Sequence, residues 1–222
     1  MSPPLAIPFG DPRHLFNRKP IMLPTRQDAA IVVCGGGDPL GELEVAKALC
    51  KLAHKPYTLF AGNDQIGNLP DEIEHAATLH PDKLTMWTGK RITNGWPAAK
   101  HTWAHRPFSG ISDWTRDWSG STGLFCVKIA RELGFVHIIL CGVHMDADSG
   151  HFLRKQRWDA CSQFIRAWEM RDAMLKPYVR SLGGWTRERF MPPTREWLRL
   201  EIEDRHRQPA PPTFNPNAGM KA

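Results

Sequence analysis

Two short runs in this chain are almost wholly apolar, rich in β-branched residues, and stop at glycine. Residues 29–34 run through Ile31, Val32 and Val33 into Gly35-Gly36-Gly37, and residues 136–141 run through Ile138, Ile139 and Leu140 into Gly142. A strand with one wet face alternates polar and apolar side chains. A run without alternation suits a strand buried on both faces, as in a parallel sheet covered by helices. The stretches between support that reading. Leu40, Leu43, Ala46 and Leu49 form a helical stripe, and residues 57–61 make a second strand ending in Gly62-Asn63-Asp64. Residues 73–80 give a weaker third strand and residues 81–87 open a short helix. A strand is expected near residues 101–104. A helix over residues 124–133 begins at a Ser/Thr cap and stops at Gly134. A long helix over residues 154–175, a short strand at 178–182 and a final helix from Pro193 to Ile202 complete the pattern. Alternating strands and helices predict a Rossmann-like α/β fold, a mostly parallel sheet with helices on both faces.

The 222 residues fit one large domain. Residues 1–28 are proline-rich without apolar periodicity and read as an extended N-terminal arm. Residues 29–207 form the domain, and residues 208–222 read as a flexible C-terminal tail. No secretory signal is evident, and no apolar run is long enough to span a bilayer. The five cysteines include no CxxC pair and fall within apolar or helical patterns. That suits buried free thiols in a reducing cytosol, so a cytoplasmic location is expected. The formal charge of +6 favours anionic partners without specifying one. Nothing fixes the oligomeric state.

Ligands in open α/β sheets bind at the carboxyl ends of the strands. Three turns fall there: Gly35-Gly36-Gly37 after the first strand, Asn63 after the second, and Ser121-Thr122-Gly123 at a helix start. Glycines admit a close approach to phosphate or sugar, and a helix start offers unpaired N–H groups to an anion. The same residues also serve as plain turn formers and caps. After the strongest strand come His144, Asp146, Asp148 and His151, whose histidines are candidate general bases. Their spacing matches no zinc pattern, so no metal is assigned. An insertion over about residues 88–118, flanked by Trp87, interleaves tryptophans with Lys90, Arg91, Lys100, Arg106 and Arg116. Such a mixture can bind nucleic acid, although tryptophans are more often buried.

Several of these pieces resemble one known group. The Val33-Cys34-Gly35-Gly36-Gly37-Asp38-Pro39-Leu40 turn and Asn63 after strand two are similar to motifs of the MptE-like Rossmann superfamily. So are Ser121-Thr122-Gly123, Leu133-Gly134-Phe135, and the strand end Ile138 to Val143. That superfamily comprises hydroxymethylpterin pyrophosphokinase-like domains and the related bacterial sialyltransferases that use a CMP-activated sugar. Compact chains with these motifs also resemble bacteriophage proteins. The resemblance covers about residues 29–145. It departs from the pattern at Asp38, and at His144, where an Asp is usual.

The resemblance implies a nucleotide or nucleotide-sugar site lined by Gly35, Gly36, Gly37, Asn63, Ser121, Thr122 and Gly123. It implies a glycosyltransferase-like transferase with an activated nucleotide sugar as donor and no certain cofactor. His144 or His151 would be the base, with Asp146 assisting. Two alternatives stand beside it. One is a non-catalytic module binding nucleic acid or a protein through the Trp-rich segment. The other is a pterin-type pyrophosphokinase, which would need Mg²⁺ held by Asp146 and Asp148.

Overall fold

The computed structural model describes residues 24–152 and 157–204. Among the described residues seven strands form a single, wholly parallel sheet: β1 (Arg26–Val33), β2 (Tyr57–Gly62), β3 (His75–Thr78), β4 (His101–Ala104), β5 (Asp113–Trp114), β6 (Phe135–Cys141) and β7 (Val179–Ser181). Their order across the sheet is β5-β4-β3-β2-β1-β6-β7. Successive strands therefore run outward from β1 in one direction, and the chain then crosses back to place β6 on the other side. The reversal between β1 and β6 is a topological switch point, where a crevice opens beyond the strand ends.

Burial explains the sequence pattern. In β1, Ala30 and Val32 join one core layer with Leu124, Phe125, Val127, Trp168 and Phe190. Ala29, Ile31 and Val33 join the opposite layer with Leu43, Ala46, Trp197 and Leu198. Both faces of the strand are dry, which is why alternation is missing. The first layer is covered by α3 (Thr122–Glu132), α4 (Ser162–Glu169), α5 (Asp172–Leu175) and α6 (Gly184–Phe190). The second is covered by α1 (Pro39–Ala53), α2 (Leu84–Thr93) and α7 (Arg195–Arg199).

Several boundaries differ from expectation. β1 starts at Arg26, inside the predicted arm, and Arg26 N–H bonds the Gly134 carbonyl. α2 runs to Thr93, into the predicted insertion. Its Arg91 is completely buried and caps the carbonyls of Leu69, Asp71 and Pro97, so a charged residue there pins loops. The expected long helix over 154–175 is in its described part a 3₁₀ turn followed by two short helices. The break falls at Met170-Arg171, where the Arg171 N–H bonds the Trp168 carbonyl three residues back. The start of that expected helix, residues 154–156, lies outside the described residues. So do most of the N-terminal arm and the C-terminal tail. α6 was not expected, because Gly183-Gly184 at its start reads as a turn. The final helix is shorter than its sequence span: Thr194 caps α7, which ends at Arg199.

Candidate functional site

Register decides what meets at the rim. Val33 lies level with Ala61 of β2 and Cys141 of β6. The turns leaving these three strands therefore emerge at one height, beside the start of α3. They surround a cleft of about 650 Å³. Its walls include Gly35, Gly36, Asn63, Ser121, Thr122 and Gly123, together with His144, Asp146 and His151. Gly37 lies outside this lining, as does Asp148 of the Mg²⁺ alternative; the Gly37 φ of +56° turns the chain away into α1. Met86, Trp87 and Lys90 line the cleft from one face of α2, with Lys83 just before its start. The sequence marks Trp87 and Lys90 only as part of a Trp-rich cationic segment; Lys83 and Met86 carry no signal of their own, and nothing local tells that these residues share a wall with the three turns.

The three glycines each make room for something specific. A Cβ on Gly35 would stand 2.6 Å from His151 Nε2 and 3.1 Å from Asp64 Oδ1. One on Gly36 would stand 2.9 Å from the Gly142 carbonyl, and one on Gly37 would overlap the His144 ring. The turn's amides are largely committed. Gly36 N–H donates to Gly142 O at 2.8 Å, and Gly37 N–H donates to Gly150 O at 3.2 Å. Phe152 N–H donates back to Gly35 O at 2.9 Å, so the 150–152 segment lies along the turn. The start of α1 is also occupied, for the Asp38 side chain accepts Gly41 N–H at 3.1 Å and Glu42 adds a second carboxylate. A phosphate would meet like charge there, contrary to what the glycines suggest.

The start of α3 differs. It has no acidic residue in its first turn, and Ser121 Oγ accepts from Leu124 N–H at 3.4 Å and from Trp168 Nε1–H at 3.2 Å. With both of those acting as donors, the Ser121 hydroxyl hydrogen remains to be given. Gly123 lets α3 approach β6, since a Cβ there would stand 2.6 Å from Val143 Cγ1. Asn63 sits in the left-handed region at φ +54°. Its Oδ1 accepts from Thr78 Oγ1 at 2.9 Å and Thr122 Oγ1 at 3.1 Å. The part of Asn63 left for a ligand is its NH₂ group, and the Thr122 hydroxyl is spent holding it.

The two histidines have different surroundings. His151 is 35% exposed and its Nε2 lies 2.9 Å from Asp64 Oδ2. Burial raises the Asp64 carboxyl, with His151 the strongest influence pulling it back down. In sequence Asp64 reads as a turn former or a ribose contact; its pairing with a histidine is hidden because the partner is 87 positions away. His144 instead bonds Glu42 Oε1 through Nε2 at 2.5 Å, and its Nδ1 is buried without a hydrogen bond among the described residues. Asp146 accepts from Ser149 N–H and Oγ–H at 2.6 and 2.7 Å, while Asp148 is 85% exposed and pairs with Arg157. Among the described residues no three His, Cys, Asp or Glu side chains gather as a metal-binding set. Cys34 lies on the cleft wall, and its thiol is held well above its usual range by a hydrogen bond with Cys126 and by burial. A thiol shifted in that direction is a weaker nucleophile than a free one.

Within the Trp-rich segment the aromatic and cationic side chains are divided: Trp87 and Lys90 face the cleft, while others are engaged elsewhere. Trp103 is buried and donates to His75 Nδ1 at 3.1 Å, and Trp118 lies under the Arg171 guanidinium. Lys100 is paired with Glu72 and Glu74. Among the described residues no helix is long and apolar enough to cross a membrane.

No family model and no curated protein matches the chain. Solved structures do. The sialyltransferase CstII from Campylobacter jejuni, in complex with the substrate analogue cytidine-5'-monophosphate, superimposes with a TM-score of 0.51 at 12% identity. The match covers 81% of this chain and 89% of that one. The sialyltransferase CST-II in complex with trisaccharide acceptor and CMP gives 0.52 at 12% identity, over 86% and 97%. At this identity the likeness concerns the fold: the chain has the Rossmann-like α/β architecture that these sialyltransferases share.

Proposed function

We propose that this protein is a transferase using a nucleotide-activated sugar, with the donor in the switch-point cleft. The observation that carries the reading is the convergence there of Asn63, the start of α3 and the Asp64–His151 pair. The fold shared with sialyltransferases bound to CMP supports it.

In this reading the donor phosphate lies against the first turn of α3, facing the Ser121 hydroxyl and amides free of acidic neighbours. Lys83 and Lys90 supply positive charge from the α2 wall. Asn63 gives its NH₂ to the ribose or base. An acceptor hydroxyl attacks the anomeric carbon, the bond from that carbon to the phosphate oxygen breaks, and His151 takes the hydroxyl proton. The departing phosphate is stabilised by donors already in place, which is where such sites gain most of their rate. The Gly35–Gly37 turn shapes the cleft and leaves the phosphate to α3, since its amides at Gly36 and Gly37 are already bonded.

The experiment is a thermal-shift titration with CMP, UDP, GDP and their sugars. A ligand at a hundred times its Kd stabilises by about 2.7 kcal/mol. That corresponds to a rise of roughly 5–11 °C for a domain of this size. CMP and a CMP-sugar are expected to raise Tm, and S121A to weaken the response. No shift with any nucleotide at millimolar concentration removes the reading.

A further inference from the structure

His144 and Glu42 form a buried unit that belongs to none of the chemistry above. They lie 102 positions apart, on β6's exit and on the first turn of α1. Their side chains are only 12% and 16% exposed. The carboxylate can only accept, so Nε2 carries a hydrogen, while Nδ1 is buried without a hydrogen bond among the described residues. The other Glu42 oxygen accepts Gly142 N–H at 2.7 Å, and Gly142 O in turn accepts Gly36 N–H. One carboxylate thus fixes both a side chain and a backbone amide of the β6 turn. Two turns close on the imidazole. A Cβ at Gly37 or Gly183 would overlap the His144 ring, and one at Gly184 would overlap its Cβ. Thr186 completes the enclosure, its hydroxyl bonding Val143 O at 2.5 Å and its N–H bonding His144 O at 3.4 Å.

We infer that His144 is a positioning residue. With Glu42 it clamps the β1–α1, β6 and β7–α6 turns together and so sets the width of the switch-point crevice. The residue transfers no proton, because one ring nitrogen is bonded to a buried carboxylate and the other is sealed from the cleft. Its position directly after the strongest strand invites a catalytic assignment from sequence. The geometry gives it the task of holding Gly142 and Gly36 where the cleft wall needs them. The inference concerns the site proposed above for the donor, and its first readout does not depend on that proposal.

The test compares H144A, H144Q, E42A and E42Q in the full chain by amide hydrogen exchange at Gly142 and Gly36, by CMP affinity, and by release of nucleotide from a CMP-sugar. Losing a hydrogen bond to a charged group speeds exchange of the amides it protects by about tenfold or more. H144A and E42A are expected to show that acceleration and a comparable loss of CMP affinity. Gln at 144 can still donate to Glu42. Gln at 42 can still accept from Gly142 and can donate to His144 in its other tautomer. Both conservative variants are therefore expected to recover most of the protection and affinity, with turnover of bound donor close to that of the unaltered protein. Should E42A and H144A leave both amides protected, the clamp does not exist. If H144Q binds CMP normally yet loses turnover by a hundredfold or more, as removal of a general base does, His144 is the base and the inference fails. If CMP fails to bind the unaltered protein, the transferase reading falls, while the exchange data still decide the clamp.

Discussion

Replacing Gly35 by Ala probes the Asp64–His151 pair without touching either residue. Gly35 does not occupy the left-handed region, so a methyl group meets no backbone strain. It meets His151 Nε2 at 2.6 Å, the far end of a side chain that can swing aside. Two stability terms then oppose each other. Separating a pair that is 35% and 18% exposed costs at most about 1 kcal/mol after solvent screening. Restricting the unfolded chain at a glycine gains about 0.4–1 kcal/mol. The net change should stay within about 1 kcal/mol, or about 2–4 °C in Tm for a domain of this size. The Asp64 carboxyl should respond more clearly. Burial raises it and His151 is the first influence opposing burial, so displacing the imidazole moves its titration to higher pH. Carboxyl ¹³C shifts against pH read that midpoint, and urea unfolding followed by tryptophan fluorescence reads the stability. G36A is the control, because its methyl would meet the rigid Gly142 carbonyl at 2.9 Å and should be the more destabilising. An unmoved Asp64 midpoint in G35A would falsify the idea that this glycine exists to admit the pair, and so would a stability loss of several kcal/mol.

Two predictions concern the frame that holds the site. His75 is pushed down to about 3, chiefly by burial, and His137 to about 4, again chiefly by burial. Below their usual 6.5 the unfolded chain binds protons that the folded chain refuses, so stability is full above pH 6.5 and declines as pH falls toward those values. From 6.5 to 5 each histidine contributes a loss of about 2 kcal/mol as an upper figure. Asp64 and Glu132, raised by burial, pull the other way across the carboxylate range. Urea midpoints at pH 7 and pH 5 should therefore separate, and H75N should narrow the gap; an unchanged gap counts against a neutral buried His75. Arg91 holds three carbonyls from within the core, a geometry that a lysine's point charge does not reproduce. R91A should lose about 3–5 kcal/mol by chemical denaturation, with R91K recovering less than half; full recovery by lysine would show that charge alone matters there.

The sequence by itself determined the layers. Uninterrupted apolar runs require two dry faces, and the helical stripes between them supply the cover, so the parallel sheet was legible from residues 29–34 and 136–141. Local chemistry also marked the stop at Gly134, which adopts φ +90°, and the cap at Ser121. These signals are written within a few residues of where they act. The two-residue strand β5 and the helix opening at Gly184 carried no such signal, being too short or too glycine-rich for periodicity to show. The tertiary structure decided the site. The turn that its glycines mark for phosphate, Gly35-Gly36-Gly37, has the Gly36 and Gly37 amides bonded to Gly142 and Gly150, more than a hundred positions away. Two histidines that look alike in sequence were sorted by their partners, His144 by Glu42 and His151 by Asp64. Sequence periodicity reports which face of an element is buried. Which distant carboxylate lies beside which imidazole depends on strand order and register, and these exist only once the sheet is assembled.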